Sequence, residues 1–290
     1  MISFAKAHGN GNDFIIIENK EGTYSDDGLS DLAKKICRRK TSLGADGVLV
    51  LEGSKTFDFY MRLFNADGSE GEMCGNGARC IARYAFEKGH AKSDMTFETK
   101  AGPLRASVNP PWATIDMGEI NVSNLKEGKI NAFDKEIPYV AFYVGVPHCV
   151  LFFPGFRDIP RDSLLSLARH IRRKGAIFDE GTNVNFAERN KDCIVAMTYE
   201  RGVEDFTLSC GTGSIACCLA SHLLFGSPLA MKVKNPGGVN KVALRLTSEK
   251  VFEASLSGKA LIVAEGLITE EALSEEEGFN KTSGGESNDR

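Results

Sequence analysis

The 290-residue chain has little net charge, no apolar run of membrane-spanning length and no two cysteines in a Cys-x-x-Cys pattern. A formal charge of −4 argues against general binding to nucleic acid or to anionic membranes. The lack of a run of about 20 apolar residues argues against a transmembrane helix. Residues 1–6 have neither the apolar core of a signal peptide nor a Ser/Arg-rich transit segment, which predicts a cytoplasmic protein.

Eight cysteines are many for such a chain, and most have a simple explanation. Without a secretory context they do not predict a disulfide framework. Without Cys-x-x-Cys they do not predict a zinc ribbon or a thioredoxin-like motif either. A cysteine in or beside an apolar run is usually a small buried hydrophobic residue. Five are expected to be of this kind, whereas Cys149 is ambiguous: Cys37, Cys80, Cys193, Cys217 and Cys218.

Strand and helix patterns do not alternate regularly along the chain, which argues against a doubly wound parallel sheet. Each half instead combines several short strand patterns with one long apolar helix pattern, 78–88 in the first half and about 211–226 in the second. The sequence therefore predicts an α+β fold of two similar domains. In each domain, a mixed or antiparallel sheet is expected to wrap round a central helix.

Local signals give further expectations along the chain. A helix over 29–39 is expected to be capped by Ser30 or Asp27, and residues 145–148 are expected to form a turn. A strand is expected over 259–263. The polar stretch 118–129 predicts a domain boundary, and the acidic, then Ser/Gly/Asn-rich end, 274–290, predicts a disordered tail.

Two Cys-Gly pairs open the two central helix patterns. The sequence over 64–80 is FNADGSEGEMCGNGARC, and that over 210–217 is CGTGSIAC, so Cys74 and Cys210 lie 210 − 74 = 136 positions apart. A helix N-terminus presents free N–H groups and a positive dipole end, which can lower a thiol pKa by one to several units from about 8.5. The same N–H groups can hold a carboxylate, and the adjacent glycines let it approach.

If the two halves face each other, two thiols and two anion-binding helix starts share one cleft. This arrangement suits removal of the α-proton of an amino acid on one face and its return on the other, with one cysteine as thiolate base and the other as thiol acid. The chain has no lysine in a recognisable pyridoxal-phosphate motif and no His/carboxylate cluster typical of a metal site. The chemistry is therefore expected to need no cofactor and no metal. The alternative is two structural cysteines at glycine-rich caps, but two matching copies favour reactive thiols.

These motifs resemble a known family. The stretch 64–80 closely resembles the first signature of the diaminopimelate epimerases, and YERG over 199–202 with CGTG over 210–213 resembles the second. Five more short motifs match in order, so that the resemblance covers the chain up to about residue 270: HGNGNDF at 8–14, GADG at 44–47, PH at 147–148, NVNF at 183–186 and NPGG at 235–238.

The resemblance implies interconversion of LL- and meso-diaminopimelate in the synthesis of lysine and peptidoglycan precursors. It implies a pyridoxal-independent two-base mechanism with Cys74 and Cys210 as the bases. It also implies two pseudo-symmetric domains, 1–119 with about 261–273 and 120–260, the last strand (near 261–268) returning to the first domain. We expect a homodimer that binds a small amino-acid substrate, with no nucleic-acid or membrane partner.

Carried over position by position, the resemblance also implies roles for individual residues. His148 and Glu200 are also expected to be catalytic: they should lie beside the two thiols and assist proton movement. The remaining residues are expected to bind substrate. Its reacting carboxylate would lie on the backbone of Gly75, Asn76, Gly211 and Thr212, and its pocket would be lined by Asn12, Asn65, Asn183, Glu200 and Arg201. The planar fork of Arg201 suits the distal carboxylate.

Each of these assignments has a plainer alternative. His148 could brace a turn after a proline, the asparagines could be turn residues, and Glu200–Arg201 could be a solvated pair. The chain also departs from the family at one position, since Val146 stands where many members have a substrate-contacting asparagine. A racemase for another amino acid, such as histidine or a proline-like substrate, is therefore the alternative on the same fold. A non-catalytic thiol switch or ligand-binding protein, with a reversible Cys74–Cys210 disulfide, is the alternative from another class.

Overall fold

A computed structural model describes residues 1–274 of the chain. Its helices are Asp26–Ile36 (α1), Gly75–Glu87 (α2), Arg161–Arg172 (α3) and Gly211–Phe225 (α4), with short 3-10 turns at Phe156–Asp158 and Glu271–Leu273. The first strands are Ile2–Gly9 (β1), Asn12–Glu18 (β2), Gly47–Glu52 (β3), Tyr60–Asn65 (β4), Glu70–Gly71 (β5), Asp94–Thr99 (β6), Gly102–Asn109 (β7), Trp112–Asn121 (β8) and Lys126–Ala132 (β9). The later strands are Lys135–Val144 (β10), Val146–Phe152 (β11), Asn183–Arg189 (β12), Cys193–Glu200 (β13), Asp205–Phe206 (β14), Ala230–Asn235 (β15), Gly238–Ser248 (β16), Val251–Lys259 (β17) and Leu261–Ile268 (β18).

The two halves of the chain repeat one pattern of strand pairing. In the first half β2 runs parallel to β3, β3 antiparallel to β4, and β4 parallel to β6. In the second half β11 runs parallel to β12, β12 antiparallel to β13, and β13 parallel to β15. Helices α2 and α4 occupy the equivalent place in each half, directly after β5 and β14. The predicted α+β fold of two pseudo-symmetric domains is confirmed.

Both central helices are buried, and most of their buried residues are apolar or small. Every residue of α4 from Gly213 to Ser221 is buried, as is every residue of α2 from Asn76 to Ala82. The strands beside α2 are buried on both faces. Phe14 and Ile16 of β2 pack in the cluster that contains α2, whereas Ile15 and Ile17 pack on the opposite face with α1. Each half is thus a sheet between a central and an outer helix.

Two strand pairings join the halves. β8 of the first half pairs antiparallel with β17 of the second along nearly their whole length, from Trp112↔Lys259 to Asn121↔Val251. β18 then leaves the second half and pairs antiparallel with β1, just as β9 pairs with β10. We propose from this pattern that the domains comprise 1–119 with about 261–273, and 120–260.

Three local expectations differ from the structure. Ser25, not Ser30 or Asp27, caps α1, because its Oγ accepts the Gly28 N–H at 3.2 Å. Residues 146–148 belong to β11 rather than to a turn, because Gly145 with φ +68° reverses the chain alone. The expected strand 259–263 is interrupted at Ala260, where the chain crosses from β17 to β18.

The polar stretch 118–129 is also more ordered than its composition indicates. β8 continues to Asn121 and β9 begins at Lys126, because their backbones pair with β17 and β10 while their polar side chains face solvent. The predicted disordered tail, 274–290, lies outside the described residues except for its first residue. In the part of the chain that is described, no helix is both long and apolar enough to cross a bilayer.

Four of the five cysteines that the sequence predicts to be buried lie in the core. The five are distributed as follows: Cys37, Cys80, Cys217 and Cys218 are buried, and Cys193 is half-buried at the start of β13. The ambiguous Cys149 is also buried, within β11. All eight cysteines are free thiols.

The turn between β1 and β2 packs against the second half through the NPGG motif at 235–238. Asn10, buried and with φ +53°, donates from Nδ2 to Asn240 Oδ1 at 2.8 Å. Gly237 donates its N–H to the Leu208 carbonyl at 2.7 Å. A side chain at Gly237 would collide with the backbone carbonyl of Asn10. The motif therefore allows two backbones from different halves to lie in direct contact.

We expect Gly237→Ala to destabilise the protein by about 1–3 kcal/mol, because the added methyl must push two backbone segments apart. The free energy of unfolding in urea measures the effect. Gly53→Ala is the matched control, since a side chain there meets nothing closer than the Lys20 carbonyl at 3.8 Å. Equal stability of the two variants would contradict the assigned contact between the halves.

Candidate active site

The two central helices begin beside each other. Cys74 and Cys210 are the N-cap residues of α2 and α4, both with extended backbone. A Cβ placed on Gly75 would lie 3.9 Å from the Leu256 Cδ2 methyl, and one on Gly211 would lie 2.8 Å from that same methyl. Both helix starts therefore converge on one side chain of β17, and the sequence-predicted cysteines share one site.

A direct hydrogen bond also links the two helix starts. Asn76, in the first turn of α2, donates from Nδ2 to the carbonyl of Ser209 at 3.2 Å. Ser209 immediately precedes Cys210, so this bond joins the backbone of one cysteine loop to the side chain of the other. The N-terminal N–H groups of both helices, including those of Thr212 and Gly211, are thus presented at one place.

Cys210 lies in a closed environment and is 7% exposed. Its Sγ accepts the Gly213 N–H at 3.3 Å and lies 3.4 Å from Thr212 Oγ1. The Glu200 carboxylate lies close enough to influence the thiol electrostatically. Burial raises the pKa of Cys210 well above its usual range, and the charge of Glu200 raises it further.

Cys74 is half-buried and has a different set of neighbours. Its Sγ donates to Asn12 Oδ1 at 3.6 Å, and Asn76 Nδ2 donates to the same oxygen at 3.2 Å. Burial raises the pKa of Cys74, while the N–H groups of Gly77 and Asn76 oppose this shift. The nearby Glu200 raises it and so lies within electrostatic reach of both thiols.

The direction of the thiol pKa shifts corrects a sequence-based expectation. The helix starts predict lowered pKa values for Cys74 and Cys210, but both are raised. The helix N–H groups act to lower the thiol pKa values, but the loss of hydration on burial has the larger effect. Sequence pattern alone gives the helix start but not the depth of burial.

Glu200 ends β13 beside Cys210. Burial raises its pKa, and the hydrogen bond from Thr207 opposes that shift. The Thr207 hydroxyl donates to Glu200 Oε1 across the loop that leads into α4. Glu200 is therefore a half-buried carboxyl held by Thr207 at the end of β13.

His148 is fully buried in β11, and its neighbours are amides. Asn185 donates from Nδ2 to His148 Nδ1 at 3.1 Å, while Asn185 Oδ1 accepts the Thr198 hydroxyl at 2.9 Å. The amide nitrogen of Asn183 lies 3.4 Å from Nε2, so each ring nitrogen faces one side-chain amide. Burial lowers the pKa of His148 to about 3, so the ring is neutral at physiological pH. A side chain at Gly213 would meet Asn185 Oδ1, which places this amide between His148 and the first turn of α4.

The predicted residues of the second half lie at one end of three neighbouring strands. His148 of β11 pairs in register with Asn183 of β12, and Glu200 ends the adjacent β13. Asn183 Oδ1 accepts the N–H of Arg201 at 2.7 Å, and Arg201 Nη1 donates to the Glu180 carbonyl at 3.2 Å. The structure therefore brings these four residues together.

The predicted residues of the first half occupy the equivalent strand ends. Asn12 starts β2 and donates from Nδ2 to Asp46 Oδ2 at 2.6 Å, and Arg39 Nη2 donates to Asp46 Oδ1 at 2.8 Å. This fixed orientation turns Asn12 Oδ1 towards Cys74. Asn65 ends β4 but is exposed, and its Nδ2 donates to Ser69 Oγ at 3.0 Å within a turn.

Sequence reasoning missed several supporting residues. Asp46 orients Asn12, Asn185 orients His148, and Thr207 bonds Glu200. Asn185 could have been found, because it lies two residues after Asn183 on one strand face. Asp46 and Thr207 lie in loops, where no periodic signal exists. Among residues 1–274, no three His, Cys, Asp or Glu side chains are grouped so as to hold a metal ion.

Comparison with known sequences identifies close relatives. Residues 4–123 and 140–263 match the family model of diaminopimelate epimerase. The chain is 38% identical over 279 residues to the diaminopimelate epimerase of Archaeoglobus fulgidus, covering 92% of this chain and 96% of the relative. It is 35% identical over 285 residues to that of Aquifex aeolicus, covering 94% and 99%.

Solved structures share the fold at low sequence identity. A PhzF-family phenazine biosynthesis protein of Bacillus anthracis has a TM-score of 0.68 at 17% identity, over 92% of this chain and 99% of that one. A probable proline racemase of Agrobacterium radiobacter has a TM-score of 0.65 at 16% identity, over 93% of each chain. At such identities the likeness concerns the fold alone. The family model and the sequence relatives show more than the fold: this chain belongs to the diaminopimelate epimerase family.

Proposed function

We propose that the protein interconverts LL- and meso-diaminopimelate by a two-base mechanism that uses Cys74 and Cys210. The observation that carries this proposal is the convergence of both helix starts on the Leu256 methyl. Two thiols at one cleft provide an acid on one face of a substrate carbon and a base on the other. The names of the sequence relatives supply the substrate.

The reaction moves one proton at each face of the α-carbon. The thiolate of one cysteine takes the α-proton and becomes a thiol, which leaves a carbanion. The thiol of the other cysteine gives its proton to the opposite face and becomes a thiolate. The configuration is inverted, and the two cysteines exchange protonation states. The reverse reaction starts from that exchanged state.

The carbanion is the difficult species, because an amino-acid α-carbon is a far weaker acid than a thiol. We propose that the N–H groups of Gly75, Asn76, Gly211 and Thr212 hold the substrate carboxylate and stabilise the negative charge that it gains. Burial excludes water and strengthens these interactions. It also raises the pKa of both thiols, which makes each thiolate a stronger base.

Glu200 and His148 support the thiols in different ways. Glu200, held by Thr207, places a carboxyl group near the Cys210 thiol, where it can assist proton movement. His148 is neutral, which suits a positioning role through Asn185 rather than donation from an imidazolium. We assign Arg201 to the distal carboxylate and Asn12, Asn65 and Asn183 to the substrate pocket.

The wider setting follows from this activity. Meso-diaminopimelate would serve lysine and peptidoglycan precursor synthesis. A mechanism that depends on free thiols needs a reducing compartment, which supports the cytoplasm. We also propose a homodimer, because β18 exposes Val263 and Leu267 beside its pairing with β1.

In heavy water, we expect LL-diaminopimelate to yield meso product with deuterium at the inverted α-carbon. Cys74→Ala or Cys210→Ala should lower this conversion by at least ~10²-fold, since each removes one proton-transfer group. Mass spectrometry with chiral chromatography measures it. Cys80→Ala, a buried cysteine on the same helix as Cys74, should retain conversion. Persistent conversion in both site variants would refute the two-base assignment.

Thr207→Val tests Glu200 through pH dependence. The Thr207 hydrogen bond lowers the pKa of Glu200, so its loss should raise that pKa and protonate the carboxyl at higher pH. The acidic limb of the kcat/KM profile should move upward by about one pH unit. Thr247→Val is the control, because its hydroxyl bonds the Val251 carbonyl on the outer strands. An unmoved acidic limb would exclude a carboxylate role for Glu200.

A second candidate function is a racemase for another amino acid. Position 146 favours it, because this chain has valine where many family members have a polar asparagine. A panel of L-amino acids and LL-diaminopimelate, followed by chiral chromatography, separates the two. We expect turnover of diaminopimelate, with Val146→Asn lowering its KM up to about fivefold through one added hydrogen bond. Leu246→Asn, on the exposed outer face of β16, should leave the KM unchanged. Turnover of a different amino acid without activity on diaminopimelate would transfer the assignment.

A further inference from the structure

Arg79 of α2 is a buried cation without an anionic partner. It is 0% exposed, and its one described hydrogen bond runs from Nη2 to Asn76 Oδ1 at 2.6 Å. Nε and Nη1 have no hydrogen-bond partner among the described residues, and no carboxylate of residues 1–274 forms an ion pair with it. A buried charge normally requires a compensating partner, so this side chain calls for an explanation.

The fold provides a fitted slot for the guanidinium. A Cβ on Gly258 of β17 would lie 2.8 Å from Arg79 Nε, and one on Gly9 of β1 would lie 3.3 Å from Nη2. One glycine thus comes from each half of the protein. Because neither wall has a side chain, the planar group fits between the two strands.

The slot lies behind the start of α2. Side chains on a helix lean towards its N-terminus, so Arg79 is directed at the first turn, five residues after Cys74. A chain of hydrogen bonds continues from Arg79 to Asn76 Oδ1, and from Asn76 Nδ2 to Asn12 Oδ1, which accepts from the Cys74 thiol. The positive charge of Arg79 acts to lower the pKa of Cys74.

Within residues 1–274, the start of α4 has no buried cation like Arg79 and instead has a carboxyl group near its cysteine. Ile215 stands at the position of α4 that corresponds to Arg79 of α2, five residues after its cysteine. Cys210 instead lies near the carboxyl of Glu200, whose charge raises the pKa of that thiol. The charged groups that face Cys74 are Arg79 of α2 and Glu200 of β13, and the groups that face Arg79 are the Cys74 and Cys80 thiols.

We propose that Arg79 is a positioning residue for the reaction, the buried counter-cation that makes Cys74 ionise before Cys210. It acts through Asn76 and Asn12 and through its charge, without touching substrate. What the ionised thiol then does rests on the proposed function. The asymmetry means that the ligand-free protein is set to take the proton that faces Cys74, while Cys210 is set to give one.

The test follows alkylation of the two thiols against pH in the ligand-free protein, with iodoacetamide as the probe and peptide mass spectrometry as the readout. In the wild type, we expect the Cys74 midpoint to lie below that of Cys210. In Arg79→Gln, the Cys74 midpoint should rise by about one pH unit, as loss of a charge several ångströms away predicts. The Cys210 midpoint should stay within about 0.3 unit.

Three further variants separate charge from structure. Arg79→Lys keeps the charge and should keep the wild-type order of the midpoints. Gly258→Ala forces the guanidinium from its slot and should raise the Cys74 midpoint. This variant tests the same proposal if Arg79→Gln does not fold. Arg83→Gln is the control, since it removes a cation from the next turn of α2, where Arg83 is ion-paired with Glu87, and should change neither midpoint.

An unchanged Cys74 midpoint in folded Arg79→Gln, or an equal shift of both thiols, overturns the proposal. These outcomes do not depend on which amino acid is turned over. Wild-type protein that fails to epimerise diaminopimelate would refute the proposed function and leave the alkylation result standing. If the wild type epimerises diaminopimelate but the Cys74 midpoint is unchanged in Arg79→Gln, the role of Arg79 is refuted and the proposed function stands.

Discussion

The antiparallel pairing of β8 with β17 is the constraint on which the site depends. It joins two half-molecules, each with its own core, into one sheet. β17 then supplies residues to both halves: Leu256 separates the starts of α2 and α4, and Gly258 forms one wall of the Arg79 slot. A shift of this strand by one residue would turn Leu256 to the opposite face and remove both contacts.

Burial is the dominant influence on the titratable groups of the site. It opposes the charged form of Cys74, Cys210, Glu200 and His148 alike, and the local hydrogen bonds moderate its effect. The site therefore favours neutral groups and strong bases over readily formed thiolates. Such a balance suits a reaction in which the proton must leave a very weak carbon acid.

Much of this architecture could be predicted from the sequence, because the responsible signals are local. Short strand patterns and one long apolar helix pattern in each half predict the α+β fold, and the Cys-Gly pairs before the helix patterns predict both helix starts. Contacts between distant segments could not be predicted in the same way. The bond of Asn12 to Asp46 and the contact of Asn10 with Gly237 depend on the meeting of loops that share no periodicity. The thiol pKa direction depends on burial, which the packing of both halves determines.

The return of β18 to β1 has a consequence for how the molecule is made. The first half of the sheet lacks an edge strand until residues near the end of the chain leave the ribosome. One edge of β1 therefore stays unpaired until its partner, some 260 residues later in the chain, has been synthesised. Residues 120–260, which contain a core of their own, are synthesised before that strand, whereas the first half gains its outer strand last.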